Sequence, residues 1–175
     1  MQSDVMRPAD LDPASDTPQR ALIDRRAELE GAIDVLLQRA QVEVLCMQRD
    51  LEPFGLSYRA PVQCLENLLA TRRDARVRML VDDGRWLESQ AARLRALQRR
   101  FSHSLELRLA SADDAVGDDA VLIVDQRHVL NVRIGKLVQG DVWLQHPLAA
   151  RTWTAVFERR WEHAGHNLPV APLGL

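Results

Sequence analysis

The chain predicts an α/β domain in which helices pack on a mixed β-sheet, and three observations carry that prediction. Segments with apolar residues every three or four positions alternate with short apolar runs. Two strand-like runs, 120–124 and 128–133, are joined only by Asp125-Gln126-Arg127, so the sheet cannot be purely parallel. A length of 175 residues with 46% hydrophobic content is enough for one sizeable core. The expected organisation is a disordered leader over 1–16, one domain over 17–166 and a C-terminal tail over 167–175.

The elements follow in order. Residues 1–16 carry Pro, Ser and Asp without apolar periodicity, which suits an unstructured leader. Thr17-Pro18 reads as an N-cap with proline at the first helical position. The helix expected over 18–40 places Leu22, Leu29, Ile33, Leu36, Leu37 and Ala40 on one stripe. Val42 to Met47 is a short apolar strand, closed by the loop residues Asp50 to Gly55. Pro61 to Thr71 forms a second helix with Val62, Leu65, Leu68 and Leu69 on one face. Arg76 to Val81 is a strand ending at Asp82-Asp83-Gly84, and a third helix is expected over 85–101. Leu105 to Leu109 alternates as a strand; Ala120 to Val124 and His128 to Arg133 make the hairpin; Asp141 to Leu144 adds a short strand. Pro147 opens a last helix in which Trp153, Phe157 and Trp161 recur every fourth residue, the spacing of core packing.

Composition limits the function classes. The net charge of −2 gives no global attraction to a polyanion, and Lys136 is the single lysine. The arginine, alanine and leucine bias has the look of a high-GC genome, so arginine abundance alone says little about nucleic acid. No run approaches the roughly 18 consecutive apolar residues of a membrane span. The polar, acidic N-terminus lacks the apolar core of a secretory signal, and the expectation is a cytoplasmic protein without membrane attachment. Cys46 and Cys64, without a C-x-x-C unit, are expected as reduced core thiols.

The pieces "VEVLCMQRDLEP", "ARVRMLVDD", "LELRLA", "DDAVLIVDQRHVL" and "FERRWEHA", in this order and spacing over about 19–165, resemble one half-unit of the phospholipase-D-like fold. More narrowly, they resemble bacterial phospholipase-D-like domains of unknown function, some of which accompany GNAT-type acetyltransferases. Active members of that superfamily carry H-x-K-x-x-x-x-D: the histidine attacks phosphorus, the lysine holds phosphate oxygens and the carboxylate supports the site. If Asp125 stands at the family's aspartate, Asp118 replaces the histidine and Ala120 the lysine. No H-x-K exists anywhere in the chain, and Asn131-Val132-Arg133 stands where the family has a Gly-Ser-x-Asn segment. The resemblance therefore implies the fold without the reaction, and a homodimer or an acetyltransferase partner. No catalytic residue, metal or cofactor is expected.

Two groups of residues are candidates for binding. Arg49, Asp50, Asp82, Arg108, Asp125 and Arg133 fall at strand ends or loops, where α/β sheets build crevices. Their other reading is exposed ends and ion pairs. Arg85, Arg93, Arg95, Arg99 and Arg100 project to one side of the third helix, opposite Leu87, Ala91, Leu94, Leu97 and Phe101. That face is either solvated or a surface for nucleic acid or a phosphorylated ligand. The acids Asp113, Asp114, Asp118, Asp119 and Asp125 lack the spacing of a calcium loop and would repel phosphate. His163-x-x-His166 lacks further ligands for zinc. An enzyme with a different site would need a titratable cluster, and none shows diagnostic spacing.

Overall fold

The computed structural model of the chain describes residues 6–165 and 168. Among these, seven strands form one mixed sheet in the order β1-β7-β6-β5-β2-β3-β4. The strands are β1 (Gln19–Ile23), β2 (Glu43–Gln48), β3 (Arg76–Val81), β4 (Leu105–Leu109), β5 (Asp119–Val124), β6 (His128–Ile134) and β7 (Val138–Leu144). The helices are α1 (Arg26–Arg39), α2 (Arg59–Thr71), α3 (Arg85–Gln90), α4 (Ala92–Arg100) and α5 (Pro147–His163). β2, β3 and β4 run parallel, joined by helical crossovers, whereas β2–β5, β5–β6, β6–β7 and β7–β1 are antiparallel. The α/β class with a mixed sheet flanked by helices is as the sequence predicts.

Central strands are apolar because both faces of the sheet are covered. On β2, Val44 and Cys46 join the larger core with Leu29, Leu36, Leu65 and Leu94 from α1, α2 and α4. Leu45 and Met47 face the other way, toward Ala150, Phe157 and Trp161 of α5. α5 starts at Pro147, with the His146 ring accepting from the backbone N–H of Ala149 (3.1 Å). Phe157 and Trp161 are buried and stacked at 5.4 Å between centroids; Trp153 packs beside them only partly buried. Arg78 of β3 is held against both rings and joins Glu158 (2.6 Å) to Glu43 (3.1 Å).

Five sequence expectations are corrected. The helix expected over 18–40 is a strand and then a helix: Ala21 and Ile23 are buried while Leu22 is 37% exposed, a period of two rather than 3.6. The third helix is broken at buried Ala91 (φ −97°, ψ 42°) into α3 and α4. The last strand starts at Val138 rather than Asp141. The leader, expected as disordered, packs where it is described. Pro8–Asp10 is a 3-10 turn, Leu11 is buried, and the Leu22 N–H donates to the Met6 carbonyl. Of the expected tail, Leu168 alone is described; its N–H donates to the Leu107 carbonyl (2.7 Å) rather than trailing away.

No helix among the described residues is long and apolar enough to cross a membrane. Cys46 and Cys64 are free thiols, the first fully buried and the second half-buried. Burial pushes the Cys46 thiol up to about 12, which removes it as a thiolate nucleophile.

Candidate functional site

The candidate residues fall at opposite ends of the strands, Asp125 at one end and the other five at the other. β5 runs antiparallel to β2, with Val44 opposite Val124 and Met47 opposite Val121. Asp118 therefore falls at the C-terminal end of β2, and Asp125 at its N-terminal end. The six residues proposed as one strand-end group do not come together.

At the C-terminal end of β2, Arg49 and Asp118 form an ion pair of 2.6 Å between Nη2 and Oδ1, both half-exposed. The loop carrying Asp118 is fixed by Asp82, whose carboxylate accepts from the N–H groups of Val116 (2.7 Å) and Gly117 (2.8 Å). Gly117 has φ 71°, a conformation that favours glycine, and this turn delivers the chain into β5. Asp50 accepts from the Glu52 N–H (3.0 Å), closing the loop after β2. Arg133 of β6 stands across the ladder from Asp119, and the Ile134 N–H donates to the Asp118 carbonyl (2.9 Å). Beneath the ion pair is a cavity of about 130 Å³.

Gln48 forms part of the cavity wall. It shares its face of β2 with Val44 and Cys46, and the continuing register sets it beside Ala120, which also lines the cavity. Its side chain is 1% exposed. Nε2 donates to Cys46 Sγ at 3.4 Å, while Oε1 has no hydrogen-bond partner. In the sequence Gln48 is a polar residue just beyond the apolar run Val42 to Met47. The available signal was the alternation, which turns position 48 inward.

The other end of β5 is built differently. Asp125 accepts three backbone N–H groups: Gln41 on Oδ2 (2.9 Å), and Val42 (2.8 Å) and Glu43 (2.9 Å) on Oδ1. The hairpin turn puts Asp125 and Gln126 at φ 52° and 54°, a region aspartate tolerates better than most residues. Beside it opens a larger cleft of about 800 Å³, lined among others by Arg39, Arg76 and His128. His128 is buried, and its Nδ1 accepts from the Gln145 N–H (3.1 Å), so the ring is neutral with its proton on Nε2. Burial, helped by the Arg39 charge, lowers its pKa to about 4.

Arg108 packs over the Trp161 ring at 4.2 Å and pairs with Glu106 (3.2 Å), away from both clefts. The arginine helix is divided by the break at Ala91. Arg85 is engaged by Asp83, Arg100 by Glu66, and Arg95 is buried with its Nη1 donating to Gln98 (3.0 Å). Arg93 and Arg99 are exposed. The five do not form one continuous basic face. His163 pairs with Asp114 (2.6 Å), and His166 lies outside the described residues.

This combination of a mixed sheet, parallel crossovers and an antiparallel hairpin ending in Asp125 is a phospholipase-D-like fold. Several solved structures have the same fold. The phospholipase D family member Nuc from Salmonella typhimurium matches with TM-score 0.60 and 16% identity over 87% of this chain and 99% of its own. NucT from Helicobacter pylori matches with TM-score 0.62 and 11% identity over 86% and 99%. TrmBL2, an archaeal chromatin protein whose structure shows a novel mode of DNA binding, matches with TM-score 0.64 and 15% identity. The match covers 86% of this chain but only 54% of TrmBL2. No curated protein matches at the sequence level. Residues 25–169 match the model of a domain of unknown function, DUF7931, and the chain belongs to that family.

Proposed function

We propose that this chain is a catalytically silent phospholipase-D-like domain acting as a binding module, with its recognition site at the C-terminal end of β2. One observation carries the reading. Where the resemblance calls for a nucleophilic imidazole there is Asp118, a carboxylate already paired with Arg49. At the lysine position, buried Ala120 offers only a methyl group beside Gln48. A carboxylate paired with an arginine is a poor nucleophile toward a phosphodiester, and a methyl group cannot hold phosphate oxygens. Asp125, the motif residue that remains, uses both carboxylate oxygens to hold the backbone at the start of β2.

The occupant is proposed to be delivered by another protein, either a second copy of the chain or the acetyltransferase partner that the resemblance implies. The nucleic-acid reading has less support, because its arginines are divided between burial, ion pairs and solvent. The test is hydrolysis of bis(p-nitrophenyl) phosphate and of single-stranded DNA by the purified chain. The expected result is no turnover above that of an Asp118→Ala, Asp125→Ala double variant. Turnover abolished in that variant would overturn the reading.

A further inference from the structure

We propose that the cleft at the N-terminal end of β2 binds a small carboxylate, with the buried His128 ring donating from Nε2 and with Arg39 and Arg127 supplying positive charge. The site lies at the opposite end of the strand from the recognition site proposed above and does not depend on that reading.

Three features converge. First, His128 is 4% exposed and lines the cleft. It shares its face of β6 with Leu130 and Val132, which join the core beneath α1. Its Nδ1 accepts from the Gln145 N–H, which leaves the proton of the neutral ring on Nε2. Among the described residues Nε2 has no hydrogen-bond partner, and it is not one of the polar atoms sealed from solvent. A donor that the core holds in place, reachable and unused, is matched by an acceptor from outside.

Second, the charges around the ring favour an anion. Besides burial, the ring feels Arg39, Asp125 and Arg127, in falling order of strength: two cations against one carboxylate. The Asp125 oxygens are turned to three backbone N–H groups. Neither Arg39 nor Arg127 pairs with a carboxylate among the described residues. Arg39 Nη2 reaches the Ser15 carbonyl only at 3.5 Å, the long limit of a hydrogen bond. An oxyanion on Nε2 would give both guanidiniums a counter-charge.

Third, the cleft suits a monoanion with a short carbon chain. Its volume is about 800 Å³, and Pro13 and the exposed Val42 add apolar wall beside the polar groups. Of its other carboxylates, Glu43 is held by Arg78 at 3.1 Å, whereas Asp16 and Asp74 are exposed. Those two oppose a dianion more than a monoanion, which selects a carboxylate over phosphate.

The test is an NMR titration of the full chain at neutral pH, following the imidazole ¹⁵N resonances, with butyrate, inorganic phosphate and n-butylammonium. Butyrate should give a saturable shift of His128 Nε2 with a millimolar midpoint. Arg127→Glu, an exposed change in the hairpin turn, should weaken butyrate about 3- to 10-fold. Arg151→Glu makes the same change of net charge on exposed α5, away from the cleft, and should leave the midpoint within about twofold. N-acetyl-alanyl-alanine separates the sources of the carboxylate. Tighter binding than butyrate marks a protein C-terminus as the occupant, and equal or weaker binding marks a free acid. No saturable shift up to about 100 mM would overturn the inference, as would equal weakening by the two reversals. Tighter binding of phosphate, or the same shift with n-butylammonium, would overturn it too.

Discussion

The two ends of β5 carry the same side chain in opposite employment. Asp125 spends both oxygens on three backbone N–H groups of the segment entering β2. Asp118, at the other end, makes one half-exposed ion pair above a cavity. The first carboxylate stitches a hairpin to a neighbouring strand, and its bonds hold the shape of the sheet. The second faces solvent and bonds one side chain rather than the backbone.

The sharpest way to break this contrast is Asp125→Ala. It removes three charge-assisted hydrogen bonds and leaves a non-glycine residue at positive φ, and should cost about 3–4 kcal/mol in urea unfolding. Asp125→Asn keeps one acceptor oxygen and should lose less than half of that. An alanine variant as stable as the parent would show that Asp125 does not clamp β2.

Next in size is a pH effect confined to the same end. The folded pKa of His128 lies at about 4, below the ordinary value of 6.5, so the unfolded chain binds this proton more readily. Its contribution is complete above pH 6.5 and is lost as pH falls from 6.5 toward 4, by about 2–3 kcal/mol in all. Urea midpoints measured across that window should fall steeply for the parent and less for His128→Gln. Equal slopes would place the titration elsewhere.

The smallest expected effect is at Asp118. An exposed ion pair contributes under about 1 kcal/mol, so Asp118→Asn should move the unfolding midpoint only slightly. A loss comparable with that of Asp125→Ala would erase the distinction between the two ends.

The architecture was legible where packing leaves a local trace. β3 and β4 fall where their apolar runs do, and the hairpin after β5 was visible in three turn residues. β1 was missed because five alternating residues are too few to outweigh the Thr17-Pro18 cap signal, and because its partner β7 lies far along the chain. The break at Ala91 carries no glycine or proline to announce it. The resemblance placed Asp125, but its clamping role depends on backbone at 41–43 that only the fold brings near. The arginine face looked continuous on a single helical projection; two helices and the burial of Arg95 undo it. Gln48 escaped notice because a polar residue closing an apolar run normally marks the edge of a strand, whereas here the strand stays buried to its last residue.

The pairing of β1 with β7 also bears on the order in which the protein is made. β1 leaves the ribosome well before its hydrogen-bonding neighbour, with the 114 residues between Ile23 and Val138 still to be synthesised. At about 5–20 residues per second, the first strand waits roughly 6–23 s without its partner. The sheet can assemble around β2, β3 and β4 during that time, but its outer border is completed only after β7 emerges. Nascent chains stalled before Val138 should therefore leave β1 open to proteases or chaperones, and release past Leu144 should close it.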